Sequence, residues 1–237
     1  MIPKVIHYCW FGRNPLPADA KAYIESWKKY CPDYVIKEWN EDNFDLDLFS
    51  YAREAYDNRR FAFVTDVVRL YALYNEGGIY MDTDVEVLKS LNPYLHHHAF
   101  SGFENETRVP TGIMASEKGG QWVKDNLDYY NNRHFVHKDG SLDLTTNVET
   151  ITRIMLQHGL VLNNKYQDIP DYFTIYPNDY FCPKSLKNGE IYLTDNSVTI
   201  HHFAGSWHTP YEKFKEHIAK MMGSKLRSLI LSIKHRS

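Results

Sequence analysis

Two aspartates one residue apart, Asp82 and Asp84, stand in the segment Tyr80-Met-Asp-Thr-Asp-Val. On an extended strand, same-side neighbours lie about 6.5–7 Å apart at Cα, so both carboxylates can converge on one cation or divide it with a diphosphate. Oxygen ligands of this hardness suit Mg²⁺ or Mn²⁺. The bland alternative is an exposed strand end, since a bare Asp-x-Asp arises often by chance. A second pair, Asp66 and Arg69, has i,i+3 spacing in an apolar run with Val64, Val67, Val68 and Leu70. Exposed, it is a local ion pair of little worth. Buried, it is costly unless it faces a polar cavity, where both side chains would bond ligand hydroxyls.

These residues need elements to hold them. Phe61 to Tyr74 has helical length and composition, and Gly77-Gly78 supplies its stop. Ile79 to Leu88 then alternates, with Ile79, Met81, Thr83, Val85 and Val87 on one side and Tyr80, Asp82, Asp84 and Glu86 on the other, which predicts one continuous strand. Upstream, a strand is expected over residues 4–8, a helix over 18–30 and a second strand over 34–39, the opening of an α/β sheet. Trp10, at the end of the first strand, lies where open α/β sheets bind ligands, or else belongs to the core. Further pieces are expected as a strand at 111–115, helices at 121–131 and 148–158, and a strand at 198–203.

The chain of 237 residues is 43% apolar and 24% charged, ordinary for a globular protein and unlike disordered or low-complexity chains. One body over 1–212, without repeat or linker, is expected, followed by a tail over 213–237. The net charge of −3 is unevenly spread: the tail carries +6, so the body carries −9. An acidic body argues against nucleic-acid binding. In the tail, Ile218, Met221, Met222, Leu226, Leu229, Ile230 and Ile233 fall at helical spacing among lysines and arginines, the pattern of an amphipathic helix that either lies on anionic membrane or packs on the body. No apolar run approaches the ~20 residues of a membrane span, and the amino terminus lacks the order of a secretory signal. A cytoplasmic protein, peripheral at most to the membrane, is the expectation. Cys9, Cys31 and Cys182 are then reduced structural thiols, and His96-His97-His98 is a loop, since consecutive side chains diverge.

Three ordered blocks, Ile2-Pro-Lys-Val-Ile-His-Tyr-Cys-Trp-Phe-Gly12, Asp66-Val-Val-Arg69 through Gly-Gly-Ile-Tyr-Met-Asp82-Thr-Asp84, and His201-His202-Phe-Ala-Gly-Ser206-Trp207, together resemble the DXD-containing sugar-transferase family. That family includes capsular-polysaccharide glycosyltransferases and the yeast initiating α-1,6-mannosyltransferase, with the glucosylating domains of large clostridial toxins as distant relatives. The resemblance implies a GT-A fold, a single Rossmann-like nucleotide-binding α/β domain, with a divalent metal and retention of anomeric configuration. By matching position it implies that Trp10 stacks on the base, that Phe61 and Thr65 line the base pocket, and that Asp66 and Arg69 hold ribose and donor sugar with Tyr80 beside them in the nucleotide-sugar site. Asp82 would contact ribose, sugar or metal, Asp84 would be the firmest metal ligand, and Ser206 and Trp207 would touch the diphosphate and glycosidic oxygen. Of the two adjacent histidines only one can face the site, and His202 with Gly205 fits the family's His-x-x-Gly pattern. Around Leu144-Thr145-Thr146-Asn147 the chain departs from the family's frequent Gly-Pro pair, on the acceptor side.

The resulting expectation is a retaining hexosyltransferase using Mn²⁺ or Mg²⁺, a nucleotide-diphosphate sugar (UDP-hexose favoured) and a glycan or lipid-linked glycan acceptor, in capsular or surface polysaccharide synthesis. Two rivals stand beside it. One is an aspartyl-phosphate phosphatase with Asp82 as nucleophile and Asp84 as acid/base, and the other is a non-catalytic sugar-nucleotide or glycan binder.

Overall fold

The computed structural model describes residues 1–109 and 112–205. The β-rich opening forms β1 (Val5–Cys9), followed by helix α1 (Ala18–Tyr30) and β2 (Val35–Trp39), close to the expected bounds. A short helix α2 (Ser50–Asp57), not foreseen from the sequence, precedes the long apolar helix α3 (Phe61–Glu76). Gly77 and Gly78 end α3 with φ of 69° and 115°, and the Gly77 N–H donates to Leu73 O at 2.9 Å. Both positions are also tight: a Cβ on Gly77 would come within 2.6 Å of Lys118 N, and one on Gly78 within 2.7 Å of Val5 O. The glycines thus reverse the chain and let β3 (Gly78–Met81) lie directly against β1.

After β4 (Val85–Val87) come β5 (Ala99–Gly102), β6 (Ile113–Ser116), α4 (Gln121–Asp128), α5 (Asn147–Gln157), β7 (Gln167–Ile169), β8 (Phe173–Tyr176), α6 (Asn178–Phe181) and β9 (Thr199–His201). Seven strands form one mixed sheet in the order β2-β1-β3-β6-β5-β8-β7, while β4 and β9 pair separately. Within the large sheet β1 runs parallel to β2 and β3, and β5 to β8; the other pairs are antiparallel. Alternate residues of β3 enter different cores. Tyr80 packs with α2, α3, α4 and α5 side chains, whereas Ile79 and Met81 pack with α1 and β4. On the second face the indole of Trp27, fully buried, donates to Val85 O at 2.7 Å and ties α1 to β4. The mixed α/β architecture expected of a GT-A domain is therefore present.

The expected single strand from Ile79 to Leu88 is not. Strand β3 stops at Met81, and Asp82, Thr83 and Asp84 form a turn, closed by the Val85 N–H donating to Asp82 O at 3.0 Å. The chain then leaves the large sheet because β4 finds its partner in β9, with Val85 opposite His201 and Val87 opposite Thr199. Tyr80 is 1% exposed, as befits a central strand covered by helices.

Residues Met1–Phe203 form one unit. The expected boundary at 212, the tail helix, Ser206 and Trp207 lie outside the described residues. No helix among the described residues is long and apolar enough to cross a membrane.

Candidate active site

Strands β1 and β3 are parallel neighbours, with Ile6 opposite Ile79 and His7 opposite Tyr80, so the residues following each emerge at the same carboxyl edge. That edge is where open α/β sheets bind ligands. Helix α3 lies against both strands and turns Asp66 and Arg69 inward; they are 8% and 5% exposed. Arg69 stacks over the Tyr80 ring at 4.5 Å. Its Nη2 reaches Asp66 Oδ1 at 3.2 Å and Asp82 Oδ1 at 3.4 Å, and its Nε donates to Thr65 O at 3.3 Å. The Tyr80 hydroxyl donates to the same Asp82 Oδ1 at 2.6 Å. The pair is thus no surface ion pair but part of a buried network of four side chains.

Burial sets the electrostatics of this network. It pushes the Asp66 carboxyl up to about 6, although the Arg69 charge pulls the other way. For Arg69, burial opposes the charge, and Asp82, Tyr80 and Asp66 outweigh it, so the guanidinium stays protonated. Burial also holds the Tyr80 phenol far above its ordinary value, so it acts as a neutral donor to Asp82.

Asp84 follows Asp82 around the turn. The Asp82 N–H donates to Gly112 O at 2.9 Å, and the Asp84 carbonyl accepts the His202 N–H at 2.9 Å. His201 Nε2 then lies 3.3 Å from Asp84 Oδ1 and 3.9 Å from Asp82 Oδ2. One ligating atom from each of Asp82, Asp84 and His201 falls within 4.8 Å of the others, the only such group among the described residues. Burial alone would drive the His201 proton off, but the Asp84 hydrogen bond and the Asp84 and Asp82 charges outweigh it and hold the imidazole well above its ordinary value. A proton here partly balances two carboxylates, and a divalent cation would do so more completely.

The expectation of His202 as the metal-facing histidine is corrected. Adjacent strand residues point oppositely. His201 turns toward the aspartates, whereas His202 stacks on Tyr23 of α1 at 4.5 Å and meets Glu86 Oε2 at 2.9 Å.

The residues assigned to a base pocket lie around the loop after β1. Trp10 is half-buried, and its indole donates to Asn14 O at 2.5 Å. Two residues on, Gly12 has a φ of 96°, and a Cβ there would come within 2.5 Å of the Phe61 ring. Phe61 opens α3, and its carbonyl accepts the Thr65 hydroxyl at 3.0 Å. The loop carrying Trp10 therefore meets the start of the helix that carries Asp66 and Arg69.

One residue was not anticipated. Asn147, 3% exposed, opens α5 beside Asp66, whose charge it favours, while neither its side-chain oxygen nor its side-chain nitrogen has a partner in hydrogen-bond geometry among the described residues. A signal for it exists in Thr146-Asn-Val-Glu149: Thr146 caps α5, accepting the Glu149 N–H at 3.3 Å, which is the spacing of a capping box.

Residues 17–101 match the family described as glycosyltransferase sugar-binding region containing DXD motif. Inositol phosphoceramide mannosyltransferase 3 of Schizosaccharomyces pombe is 30% identical over 126 residues, covering 50% of this chain and 34% of that protein. An uncharacterized glycosyltransferase of Acanthamoeba polyphaga mimivirus is 25% identical over 219 residues, covering 87% and 84%. The aligned part thus spans about a third of the yeast relative's length. Among solved structures, the PaToxG glycosyltransferase superposes with a TM-score of 0.50 at 20% identity, covering 67% of this chain and 69% of that one, a likeness of fold. The matched residues 17–101 contain the Asp66–Arg69 pair and the Asp82-Thr83-Asp84 turn, so the chain is similar to glycosyltransferases through the part that carries the candidate site.

Proposed function

We propose that the protein is a metal-dependent, retaining glycosyltransferase that moves a hexose from a nucleotide-diphosphate sugar, UDP-hexose by preference, to a glycan or lipid-linked glycan acceptor in surface polysaccharide synthesis. The observation that carries this reading is the joining of two sites through one side chain: Asp82 belongs both to the Asp82–Asp84–His201 cluster and to the Arg69–Tyr80–Asp66 network. Such a junction suits a substrate with a diphosphate at one end and hydroxyls at the other. The similarity to a yeast mannosyltransferase supports a hexose.

The donor set fits a divalent ion. Two carboxylates supply hard oxygens and one imidazole a borderline nitrogen, a combination that favours Mn²⁺ over Mg²⁺. When bound, such an ion neutralises charge on the diphosphate leaving group. Asp82, Asp84 and His201 would hold it. Asp66 and the buried Asn147 oxygen are acceptors for donor-sugar hydroxyls, and Arg69 fixes both Asp66 and Asp82, so the sugar is oriented by a rigid array. Trp10 would stack on the base beside Phe61 and Thr65. Because Asp66 and Asp82 are both tied to Arg69, neither is disposed as a covalent nucleophile, which favours front-face attack with the departing phosphate taking the acceptor proton. Ser206 and Trp207 are proposed to complete the diphosphate end, and the basic segment 213–237 to bring the enzyme to an anionic membrane surface that carries the acceptor. Nothing favours the phosphatase rival, in which Asp82 would have to be a free nucleophile rather than the acceptor of Tyr80 and Arg69.

A panel of nucleotide sugars incubated with and without Mn²⁺ tests the reading by nucleotide release. Release from one donor that requires Mn²⁺ and disappears in Asp84→Asn is expected. Release that survives in this variant with unchanged Mn²⁺ dependence overturns it, and binding without release from any donor, with or without acceptor glycans, favours the non-catalytic binder.

A further inference from the structure

Gly112 touches both halves of the cation cluster. Its carbonyl accepts the Asp82 N–H at 2.9 Å, where β3 ends and the aspartate turn begins. On its other side the His201 ring occupies the space a side chain would need: a Cβ on Gly112 would lie 2.6 Å from Nδ1, 2.9 Å from Cε1 and 3.0 Å from Cγ of His201, and its three nearest neighbours are all atoms of that ring. Gly112 is buried, and its φ is one that L-residues adopt freely, so neither solvent nor backbone conformation calls for glycine here. The ring does.

His201 cannot yield cheaply to an added methyl group. Its backbone is paired in β9 opposite Val85, its ring stands 4.2 Å from that of Phe203, and only 14% of its side chain is exposed. A swing away from residue 112 must turn Nε2, now 3.3 Å from Asp84 Oδ1, out of its place. We propose that Gly112 is a positioning residue for the cation site: its missing side chain fixes the His201 ring in the orientation that faces Asp82 and Asp84, while its carbonyl anchors the turn bearing them. This rests on the metal reading given above.

The test is a double-mutant cycle on the full-length protein with Gly112→Ala, His201→Ala and the double variant. Mn²⁺ affinity is measured by titration calorimetry, and unfolding free energy is measured without metal. In the wild-type background Gly112→Ala should weaken Mn²⁺ binding by about 10–100-fold, the range for lost support of a ligating histidine. It should also lower stability. In the His201→Ala background the methyl group has room, so Gly112→Ala should not lower the metal-free stability further, and the double variant should fold even if the single one does not. Equal effects in both backgrounds, or wild-type affinity in Gly112→Ala, overturn the proposal. Wild-type protein that binds no Mn²⁺ overturns the metal reading, and with it the role of Gly112 at a cation site; the metal-free cycle then still reports whether the ring contact exists.

Discussion

In the Asp66→Asn variant a buried carboxylate gives way to a neutral group of nearly the same shape. Burial holds the Asp66 carboxyl at about 6 in the fold, against 3.8 when solvated, in spite of the neighbouring Arg69. Between those two pH values the folded protein keeps a proton that the unfolded chain has released. Stability therefore falls as pH rises from about 4 to about 6, and the loss is complete above the folded value. At 1.36 kcal/mol per pH unit the gap amounts to about 3 kcal/mol. Asparagine imitates the protonated acid at every pH, so the two proteins should melt together near pH 4. The variant should be more stable by about 3 kcal/mol at pH 8, or by roughly 6–12 °C in a chain of this size. Donor turnover should nevertheless be lost, because the variant keeps the shape and not the charge that accepts hydroxyls and fixes Arg69. Urea and thermal unfolding of both proteins from pH 4 to 8, without metal or nucleotide, measures the difference. A stability gap that does not grow with pH, or a variant less stable than wild type at pH 8, refutes the claim that desolvation of this carboxylate outweighs its ion pair.

Three further outcomes are expected. His201→Ala should abolish measurable Mn²⁺ binding whereas His202→Ala, removing a group that faces Glu86 and Tyr23, should keep it; titration calorimetry giving the reverse order would reject the assignment of His201. Trp10→Ala should weaken nucleotide binding by about 1–3 kcal/mol, the range for base–aromatic stacking. Normal binding with an early melt would instead make Trp10 a core residue. In vesicle co-sedimentation at low salt, the full chain should bind anionic lipid and a chain ending near Phe214 should not; equal binding of the two would remove the basic segment from membrane docking.

Features written into consecutive residues were legible before any tertiary contact was known. The alternating opening, the helix over Ala18–Tyr30, the apolar helix carrying Asp66 and Arg69, and its Gly77-Gly78 stop depend on local periodicity and backbone freedom, and all are present. The spacing of Asp82 and Asp84 marked a candidate cation site for the same reason: two carboxylates so close in the chain stay close in any fold. What local pattern could not decide was where the strand ends. Ile79 to Leu88 alternates throughout, yet the chain turns at Asp82 because β4 pairs with β9, more than a hundred residues away, instead of continuing in the large sheet. That same pairing overturned the choice of His202, because the register of β9 sends His201 to the aspartates and His202 to α1. The Thr146–Glu149 spacing marks the start of α5, but the nearness of Asn147 to Asp66 is not written in it, since α5 and α3 meet only in the folded core. Residue types and their spacing determined which chemistry the protein could do. Long-range strand pairing and burial decided which side chains meet to do it, because contact between distant segments is set by the packing of the whole sheet rather than by any pattern within one of its strands.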